Sequence, residues 1–292
     1  MKYLLPLIAL CLATPTFAQA PLTDAEARAQ VKKITAKKII LVGDSTTAVQ
    51  GGWGPSFCAD HVTSFLACVN LARGGRSTFN YRAEGSWDIA LAEMKSGGFA
   101  KTYVLIQFGH NDQPGKPGRS TDLATEFPSN LRAYVEEVRA AGAIPVLVTP
   151  LTRRGFENGK LQDDLGPWAD ATRKVAQDMN VPVVDLYARS QAVVQAMGAA
   201  QATQFAQLPP SAEVAAAAQT GTTIPAAAGV PAAPNTPAPT QAQINAALEP
   251  MGAAKLSFDY THLGPKGADV FAKIVTEELS KAVPELRKDL IP

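Results

Sequence analysis

Between residues 38 and 186, short apolar runs alternate with amphipathic stretches, and this alternation restricts the possible folds more than any other feature of the chain. The runs are four to eight residues long and rich in Val, Ile, Leu or Tyr. Gly, Asn, Pro or Asp stands at or near the end of each, so every run predicts a buried strand. The five runs are 38–42, 67–71, 102–109, 144–149 and 181–186.

The stretches between the runs have the periodicity of helices. In 129–141 apolar residues recur at helical spacing with charged residues facing away, and Gly142 then ends the helix. The stretch 166–179 is similar, and a last helix follows Pro265. Strands that alternate with helices predict an α/β fold, in which a parallel sheet is covered by helices on both faces.

The first 18 residues predict a cleaved signal peptide. Lys2 supplies a positive start, residues 3–13 form a short apolar run, and Pro15 breaks this run before small residues. The run is too short to span a bilayer, which takes about 20 residues. Cleavage after Ala18 leaves Gln19 as the new N-terminus. We therefore expect a periplasmic or secreted protein of residues 19–292 without a membrane anchor.

Charge and cysteine content argue against several classes of protein. The net charge is +1, with basic and acidic residues interspersed, which provides no basic surface for nucleic acid. The three histidines and the cysteines lack the spacing of metal ligands, so no metal site is predicted. Cys58 and Cys68 remain after processing, either as a disulfide or as two buried thiols.

A segment of low complexity, at about 198–255, departs from the strand–helix pattern. Between Arg189 and Lys255 the charged residues are Glu213 and Glu249, and several prolines interrupt any long helix. Because large apolar residues are scarce, the segment predicts a mobile insertion or lid, with a short helix near 191–197. An ordered loop that covers the substrate is the alternative.

Polar residues follow the predicted strands, where an open parallel sheet places its active site. Gly43 ends the first strand, and Ser45 then falls at the start of the next helix, either as a nucleophile or as a helix cap. After the second strand, Gly74 and Gly75 either leave a backbone N–H free to face the crevice or form an ordinary turn.

The third strand and a late segment add further candidates. Asn111 can donate its side-chain amide to an oxyanion, whereas His110 is expected to be structural and Asp112 is either an acid or a turn cap. Asp259 and His262 lie three residues apart just before the last helix, so the carboxylate can orient the imidazole as in a serine triad. Together these motifs predict one crevice that holds a nucleophile, a base and oxyanion donors.

The motifs resemble those of the SGNH (GDSL-like) hydrolases, and within them the rhamnogalacturonan acetylesterases. The similarity lies in GDST, NLARGGRS, QFGHND and DYTHLGPKGA, and spans about residues 39–185 and 258 to the last helix. It implies a three-layer α/β/α, flavodoxin-like fold and ester hydrolysis without a cofactor. It also implies Ser45 as the nucleophile, His262 as the base and Asp259 as the group that orients it. The implied oxyanion hole consists of the Ser45 and Gly75 N–H groups and the Asn111 side chain.

The resulting hypothesis is an exported serine esterase that deacetylates a plant cell-wall polysaccharide such as rhamnogalacturonan or another pectin. A lipase or thioesterase for longer acyl esters and a binding protein without turnover are the alternatives. Arg153 and Arg154 follow the fourth strand, either as ligands of an acidic sugar or as solvated loop residues. A polar rim is expected around the nucleophile, with one aromatic ring to stack on a sugar. Its residues are Thr46, Thr47, Gln50, Gly51, Gly52, Trp53, Arg76, Ser77, Asn111 and Asp112.

Overall fold

The computed structural model describes residues 22–228 and 256–292. Residues 22–34 belong to a separate unit with one short helix, α1 (Asp24–Ala29), which begins with a capping box between Thr23 and Glu26. The predicted signal peptide, residues 1–18, lies outside the described residues. None of the helices in the described ranges is long and apolar enough to cross a membrane.

The second unit begins at Thr35 and alternates strands with helices. Its strands are β1 (Lys37–Gly43), β2 (Leu66–Asn70), β3 (Thr102–Gln107), β4 (Ile144–Val148), β5 (Phe156–Glu157), β6 (Lys160–Leu161) and β7 (Val183–Val184). Its helices are α2 (Gly54–Asp60), α3 (Asn80–Ala83), α4 (Ser86–Met94), α5 (Glu126–Ala140), α6 (Gly166–Asp178), α7 (Leu186–Ala202), α8 (Ala212–Gln219) and α9 (Pro265–Ala282). Short 3₁₀ turns span Thr203–Phe205 and Pro284–Asp289.

The main sheet has five parallel strands in the order β2-β1-β3-β4-β7. The predicted parallel α/β fold is therefore confirmed, and the order is that of flavodoxin-like sheets. The last strand is shorter than its apolar run, because Asp185 leaves the sheet and its side chain caps α7 by accepting from the Ala188 N–H.

Two apolar cores fill the space between the sheet and its helices. Alternate residues of β1 point to opposite faces, Ile39 and Leu41 to one core and Ile40 and Val42 to the other. The first core contains residues of α2, α7 and α9, and the second contains residues of α4, α5 and α6. The molecule thus has the predicted three layers, with both faces of the sheet buried.

The order in which strands are added to the sheet reverses at β1 and β3, which are parallel neighbours although β2 lies between them in sequence. Connections leave β1 and β3 toward opposite faces, so a crevice opens at the carboxyl ends of these two strands. Ser45 follows β1 directly, and Asn111 follows β3. The topology therefore brings two of the predicted site motifs to the same edge.

The low-complexity segment is folded over residues 198–228, and in this part the expectation of a mobile insertion is wrong. Helix α7 continues to Ala202 past a break at Gly198, and α8 follows with Ser211 as its cap. Phe205 is buried and packs edge-to-face on Phe271 of α9, with ring centroids 5.4 Å apart. Val214 and several alanines are also buried, so a segment of low complexity can still pack on the core. Residues 229–255 lie outside the described residues.

Cys58 of α2 and Cys68 of β2 form a disulfide, with Cα atoms 5.4 Å apart. The sequence allowed either a disulfide or two free thiols. The packing of α2 against β2 brings the two cysteines together, so the disulfide is the correct alternative.

Candidate active site

Ser45 lies half-buried in the loop between β1 and α2. The loop after β2 approaches it from one side, since a Cβ atom placed on Gly74 would lie 3.6 Å from the Ser45 Cβ. The Gly43 carbonyl accepts from the Arg73 N–H at 2.9 Å and ties these two loops together. Ser45 therefore stands at the crevice edge next to the glycine pair, as the sequence predicts.

A buried network of side chains fixes the loop that carries Ser45. The Asp44 carboxylate accepts from the Thr46 N–H at 2.8 Å and from its hydroxyl at 2.7 Å. That hydroxyl in turn accepts from the Gln107 amide at 2.6 Å, and the Trp53 indole N–H donates to the Gln107 carbonyl oxygen at 2.7 Å. Residues on both sides of Ser45 are thus held to the end of β3, which restricts the position of its hydroxyl.

Because Trp53 belongs to this network, the prediction that its ring stacks on a sugar is wrong. The Trp53 side chain is fully buried and packs on Phe57. Of the residues expected to form a polar rim around Ser45, most are buried and Gln50 is exposed. Arg76 donates to the Glu84 carboxylate and to the Gly74 carbonyl, so it stabilises the glycine loop from within.

Asp259 and His262 form a hydrogen-bonded pair in the turn before α9. The imidazole Nδ1 lies 2.7 Å from one carboxylate oxygen of Asp259. The other oxygen accepts from the Thr261 N–H at 2.7 Å and the His262 N–H at 2.6 Å. Burial alone would raise the pKa of Asp259, but these hydrogen bonds and the facing imidazole outweigh it and lower the pKa to about 2. The carboxylate is therefore ionised at neutral pH and directs the opposite ring nitrogen toward the crevice.

The imidazole of His262 lies against the same loop that carries Ser45. A Cβ atom placed on Gly51 would approach the His262 Cδ2 to 3.3 Å, and the Gly51 carbonyl accepts from the Leu263 N–H at 2.8 Å. Since Cδ2 is bonded to Nε2, this contact places the reactive edge of the ring over the loop of residues 43–53. The structure thus brings the late Asp–His motif to the nucleophile loop.

Three donors were predicted from the sequence for an oxyanion hole. The Ser45 and Gly75 N–H groups donate no hydrogen bond to any group in residues 22–228 and 256–292. Gly75 has a φ of 77°, which turns the backbone sharply at this point. The Asn111 side chain is buried, and one hydrogen of its amide donates to the Arg76 carbonyl at 3.0 Å. Its second hydrogen remains for a ligand, so the donors match the predicted set.

Comparison with known proteins identifies the family of this chain. A family model described as the GDSL-like lipase/acylhydrolase family matches residues 41–208, more than half of the chain. The chain belongs to the GDSL-like lipase/acylhydrolase family. It is therefore a serine-based ester hydrolase. The resemblance stated from the motifs is confirmed.

Two relatives from Bacillus subtilis (strain 168) show the similarity at the level of single proteins. Rhamnogalacturonan acetylesterase RhgT is 37% identical over 173 residues, covering 56% of this chain and 71% of the relative. Probable rhamnogalacturonan acetylesterase YesY is 33% identical over 170 residues, covering 56% and 76% respectively. Among solved structures, the protein YxiM of Bacillus subtilis superimposes with a TM-score of 0.57 at 20% identity. That match covers 85% of this chain and 57% of YxiM, and it supports the fold.

His110 and Asp112, both in the motif QFGHND, are buried and hold the loops together. His110 is buried against Asp44, with its Nδ1 3.4 Å from the carboxylate, and so does not face the crevice. Burial lowers the pKa of His110. Asp112 accepts from the Thr78 N–H and hydroxyl and from the Thr121 hydroxyl, which ties the loop after β2 to the loop after β3.

The arginines after β4 separate into two roles that the sequence does not distinguish. Arg154 is buried beneath the turn of residues 259–262 and donates to its carbonyl groups. Arg153 is half-buried at the crevice, where its guanidinium donates to the Thr261 hydroxyl at 3.2 Å and pairs with Asp164. Arg154 is buried because it binds a turn more than 100 residues away in sequence. The residues next to Arg154 therefore do not predict its burial.

Two further cations lie near Arg153 and form what we call the cationic edge, defined as Lys116, Arg119 and Arg153. Arg119 donates to the Gly75 carbonyl at 3.4 Å, and Lys116 donates to the His110 carbonyl. Burial, and next the charge of Arg153, lower the pKa of Lys116 to about 8. The cationic edge therefore runs from the loops that carry Gly75 and His110 to the turn that carries His262.

Proposed function

We propose that this enzyme removes acetyl groups from an acetylated acidic polysaccharide such as a pectin, through an acyl-enzyme on Ser45. The observation that carries the catalytic part is the 2.7 Å contact between His262 and Asp259, placed against the loop of Ser45. A nucleophile, an oriented base and free donors at one sheet edge are the parts that acyl transfer needs.

In the proposed reaction, the Ser45 hydroxyl oxygen attacks the ester carbonyl while His262 Nε2 takes the hydroxyl proton. The carbonyl oxygen becomes an oxyanion that accepts from the Ser45 and Gly75 N–H groups and the Asn111 amide. The intermediate then collapses, and His262 gives its proton to the departing sugar oxygen. Water attacks the acetyl-enzyme in the same way, with His262 as base, and acetate leaves as Ser45 regains its proton.

Asp259 has two functions in this scheme. It accepts a hydrogen bond from Nδ1, which leaves Nε2 as the nitrogen that can take a proton. Its negative charge also stabilises the imidazolium that forms in each step. Since its pKa is about 2, it keeps this charge over the whole range in which the protein is expected to work.

The cationic edge favours an acidic rather than a neutral glycan. Lys116, Arg119 and Arg153 place positive charge beside the oxyanion loops, where a sugar that carries the ester would lie. A uronate carboxylate matches such charges through charge-assisted hydrogen bonds. The names of the relatives RhgT and YesY support the same substrate class.

The acyl group that best fits the site is acetyl. The proposed site is formed by small or polar residues, namely Gly74 beside Ser45, the Asn111 amide and the His262 imidazole, so a long acyl chain would find little apolar surface there. Each buried methylene would then lack the ~0.8 kcal/mol that apolar contact provides.

Export belongs to the proposal as well, because polymeric pectin reaches an enzyme only outside the cytoplasm. The positively charged start, short apolar run and small residues up to Ala18 support it. N-terminal sequencing of the protein recovered from the periplasm or medium tests this, and an intact Met1 on that protein would contradict it.

The catalytic part is tested with Ser45→Ala and His262→Ala. Each should lower kcat for 4-nitrophenyl acetate by roughly a thousandfold or more, and the double variant should be little worse than either, because the two residues act as a unit. Ser280→Ala, which changes a serine on α9, serves as a control and should retain full activity. Near-normal turnover in Ser45→Ala would exclude the proposed nucleophile.

The substrate part needs separate measurements. Across 4-nitrophenyl esters from acetate to decanoate, kcat/KM should be highest for acetate and fall steeply by hexanoate, whereas a maximum at octanoate or beyond would favour a lipase. With acetylated pectin, the variant Lys116→Met/Arg119→Met should lose roughly tenfold in kcat/KM, the size of one charge-assisted hydrogen bond. Lys174→Met is the matched control. An equal loss on acetylated xylan would show that the charges do not select an acidic glycan.

A further inference from the structure

Arg154 makes an unusual set of contacts for a single side chain. Its own backbone N–H donates to the Tyr260 carbonyl at 2.9 Å. Its guanidinium donates to the carbonyl groups of Asp259 at 2.9 Å, Thr261 at 3.1 Å and His262 at 2.8 Å. One residue therefore binds all four consecutive carbonyl groups of the turn that carries the proposed acid and base.

The guanidinium lies inside the protein and cannot contact a substrate. Arg154 is 1% exposed and is among the largest fully buried side chains of the described residues. Burial lowers its pKa to about 10, opposed by the charge of Asp259, so the group is still charged at neutral pH. Burying a charge is costly unless it is hydrogen-bonded, and here the carbonyl groups of the turn supply those bonds. The turn and the buried cation thus stabilise each other.

The geometry also connects this cation to the Asp259 carboxylate. The peptide group between residues 260 and 261 accepts from Arg154 at its oxygen and donates to Asp259 from its nitrogen. The peptide group between residues 261 and 262 does the same. At the peptide group between residues 261 and 262, the guanidinium charge at the oxygen end and the carboxylate charge at the nitrogen end polarise the group in one direction. At the peptide group between residues 260 and 261, the donor to the oxygen is the neutral backbone N–H of Arg154. Hydrogen bonds arranged in such chains strengthen one another.

We infer that Arg154 is a positioning residue for the Asp259–His262 pair: it fixes the turn through its four carbonyl groups and thereby sets the distance and direction of the carboxylate–imidazole contact. This inference rests on the proposed function, since it assumes that the pair is the base of the reaction. Arg154 itself touches neither the ester nor Ser45 in this scheme. It acts on the reaction only through His262.

The inference predicts a particular split of kinetic constants. Arg154→Met should lower kcat for 4-nitrophenyl acetate by about a hundredfold, the cost of a displaced catalytic group, with little change in KM. Arg154→Lys keeps a buried cation but has a single nitrogen donor, so it should lose less, and it carries the test if Arg154→Met does not fold. Arg173→Met, which removes a guanidinium that pairs with Asp185, is the matched control and should keep kcat.

A double-mutant comparison separates positioning from a general structural effect. In the His262→Ala background, Arg154→Lys should leave the residual turnover unchanged, because the group that it positions is absent. If Arg154→Lys lowers turnover by the same factor in the His262→Ala background as in the wild type, the inference is wrong. Arg154 would then act on Ser45 or on the fold as a whole.

A spectroscopic measurement gives an answer that does not depend on turnover. A proton on the imidazole nitrogen that bonds a carboxylate gives a low-field ¹H resonance, which His262→Ala would identify by its loss. This resonance should be shifted or broadened in Arg154→Lys and unchanged in Arg173→Met. If kcat and the resonance are unchanged in both Arg154 variants while Ser45→Ala is inactive, the role of Arg154 is wrong but the proposed function stands. Activity in Ser45→Ala would instead overturn the proposed function.

Discussion

At the scale of single residues, the structure orients Asn111, one of the proposed oxyanion donors. The Asn111 amide is held by the Arg76 carbonyl, and Arg76 is held by Glu84. A donor that is already oriented costs no reorganisation when charge develops in the transition state. Its contribution therefore belongs to the chemical step rather than to substrate binding.

Asn111→Ala should accordingly lower kcat by roughly a hundredfold or more, with little change in KM. Steady-state kinetics with 4-nitrophenyl acetate measure both constants. An increase in KM at constant kcat would show instead that Asn111 binds the substrate in its ground state.

Gly51 is a second residue whose identity matters for the base. A Cβ atom at this position would lie 3.0 Å from the Gln207 Nε2 and 3.3 Å from the His262 Cδ2, and the backbone has a φ of 87°. The end of the flexible Gln207 side chain can move aside, whereas the imidazole is held by Asp259. Gly51→Ala should therefore displace the imidazole and lower kcat by about tenfold to a hundredfold. Gly142→Ala is the control, because Gly142 has a similar φ of 78° but open space around it. If both variants lose activity equally, backbone strain rather than contact with His262 is the cause.

At the scale of elements, the 3₁₀ turn Thr203–Phe205 supports the start of α9. The Phe205 carbonyl accepts from the Gly264 N–H at 2.8 Å, two residues after His262. The Phe205 ring packs on Phe271 in the same helix. This part of the low-complexity segment therefore stabilises the helix that follows the turn of Asp259 and His262.

Phe205→Ala should lower the free energy of unfolding by about 3 to 5 kcal/mol, as expected for truncation of a buried aromatic residue. Leu208→Ala, three residues later at an exposed position, should change it by less than about 0.5 kcal/mol. Urea unfolding measures both. Equal and small effects would mean that the segment does not pack on the core in solution.

At the scale of the whole molecule, buried carboxylates connect stability to pH. Burial raises the pKa of Asp112 to about 6, although hydrogen bonds from Thr78 and Thr121 oppose the shift. The unfolded chain has a value near 3.9. Because the folded state favours the protonated form, the contribution of Asp112 to stability is fully present below about pH 4 and is lost as the pH rises through 6.

Asp112→Asn removes this titration and keeps the oxygen that accepts hydrogen bonds. The unfolding free energy of the variant relative to the wild type should therefore rise by roughly 1 to 1.5 kcal/mol between pH 5 and pH 8. Chemical unfolding at the two pH values measures the difference. A difference that is independent of pH would mean that Asp112 titrates alike in the folded and unfolded states.

The sequence by itself determined the parallel α/β fold and the residues of the candidate site. Both depend on short-range patterns: an apolar run of strand length predicts a buried strand, and a polar motif directly after it must lie at the carboxyl edge. Ser45 and Asn111 follow such runs. Asp259 and His262 are close enough in sequence to meet within one turn.

Only the tertiary structure decided that Trp53 is buried in the network behind Ser45, that Cys58 and Cys68 form a disulfide, and that residues 198–228 pack on the core. It also decided that Arg154 holds the turn of His262 while Arg153 faces the crevice. The reason is physical. Burial and hydrogen bonding of these groups depend on segments that are distant in sequence and meet only after the sheet and its helices have assembled, so neighbouring residues carry no signal of the contact.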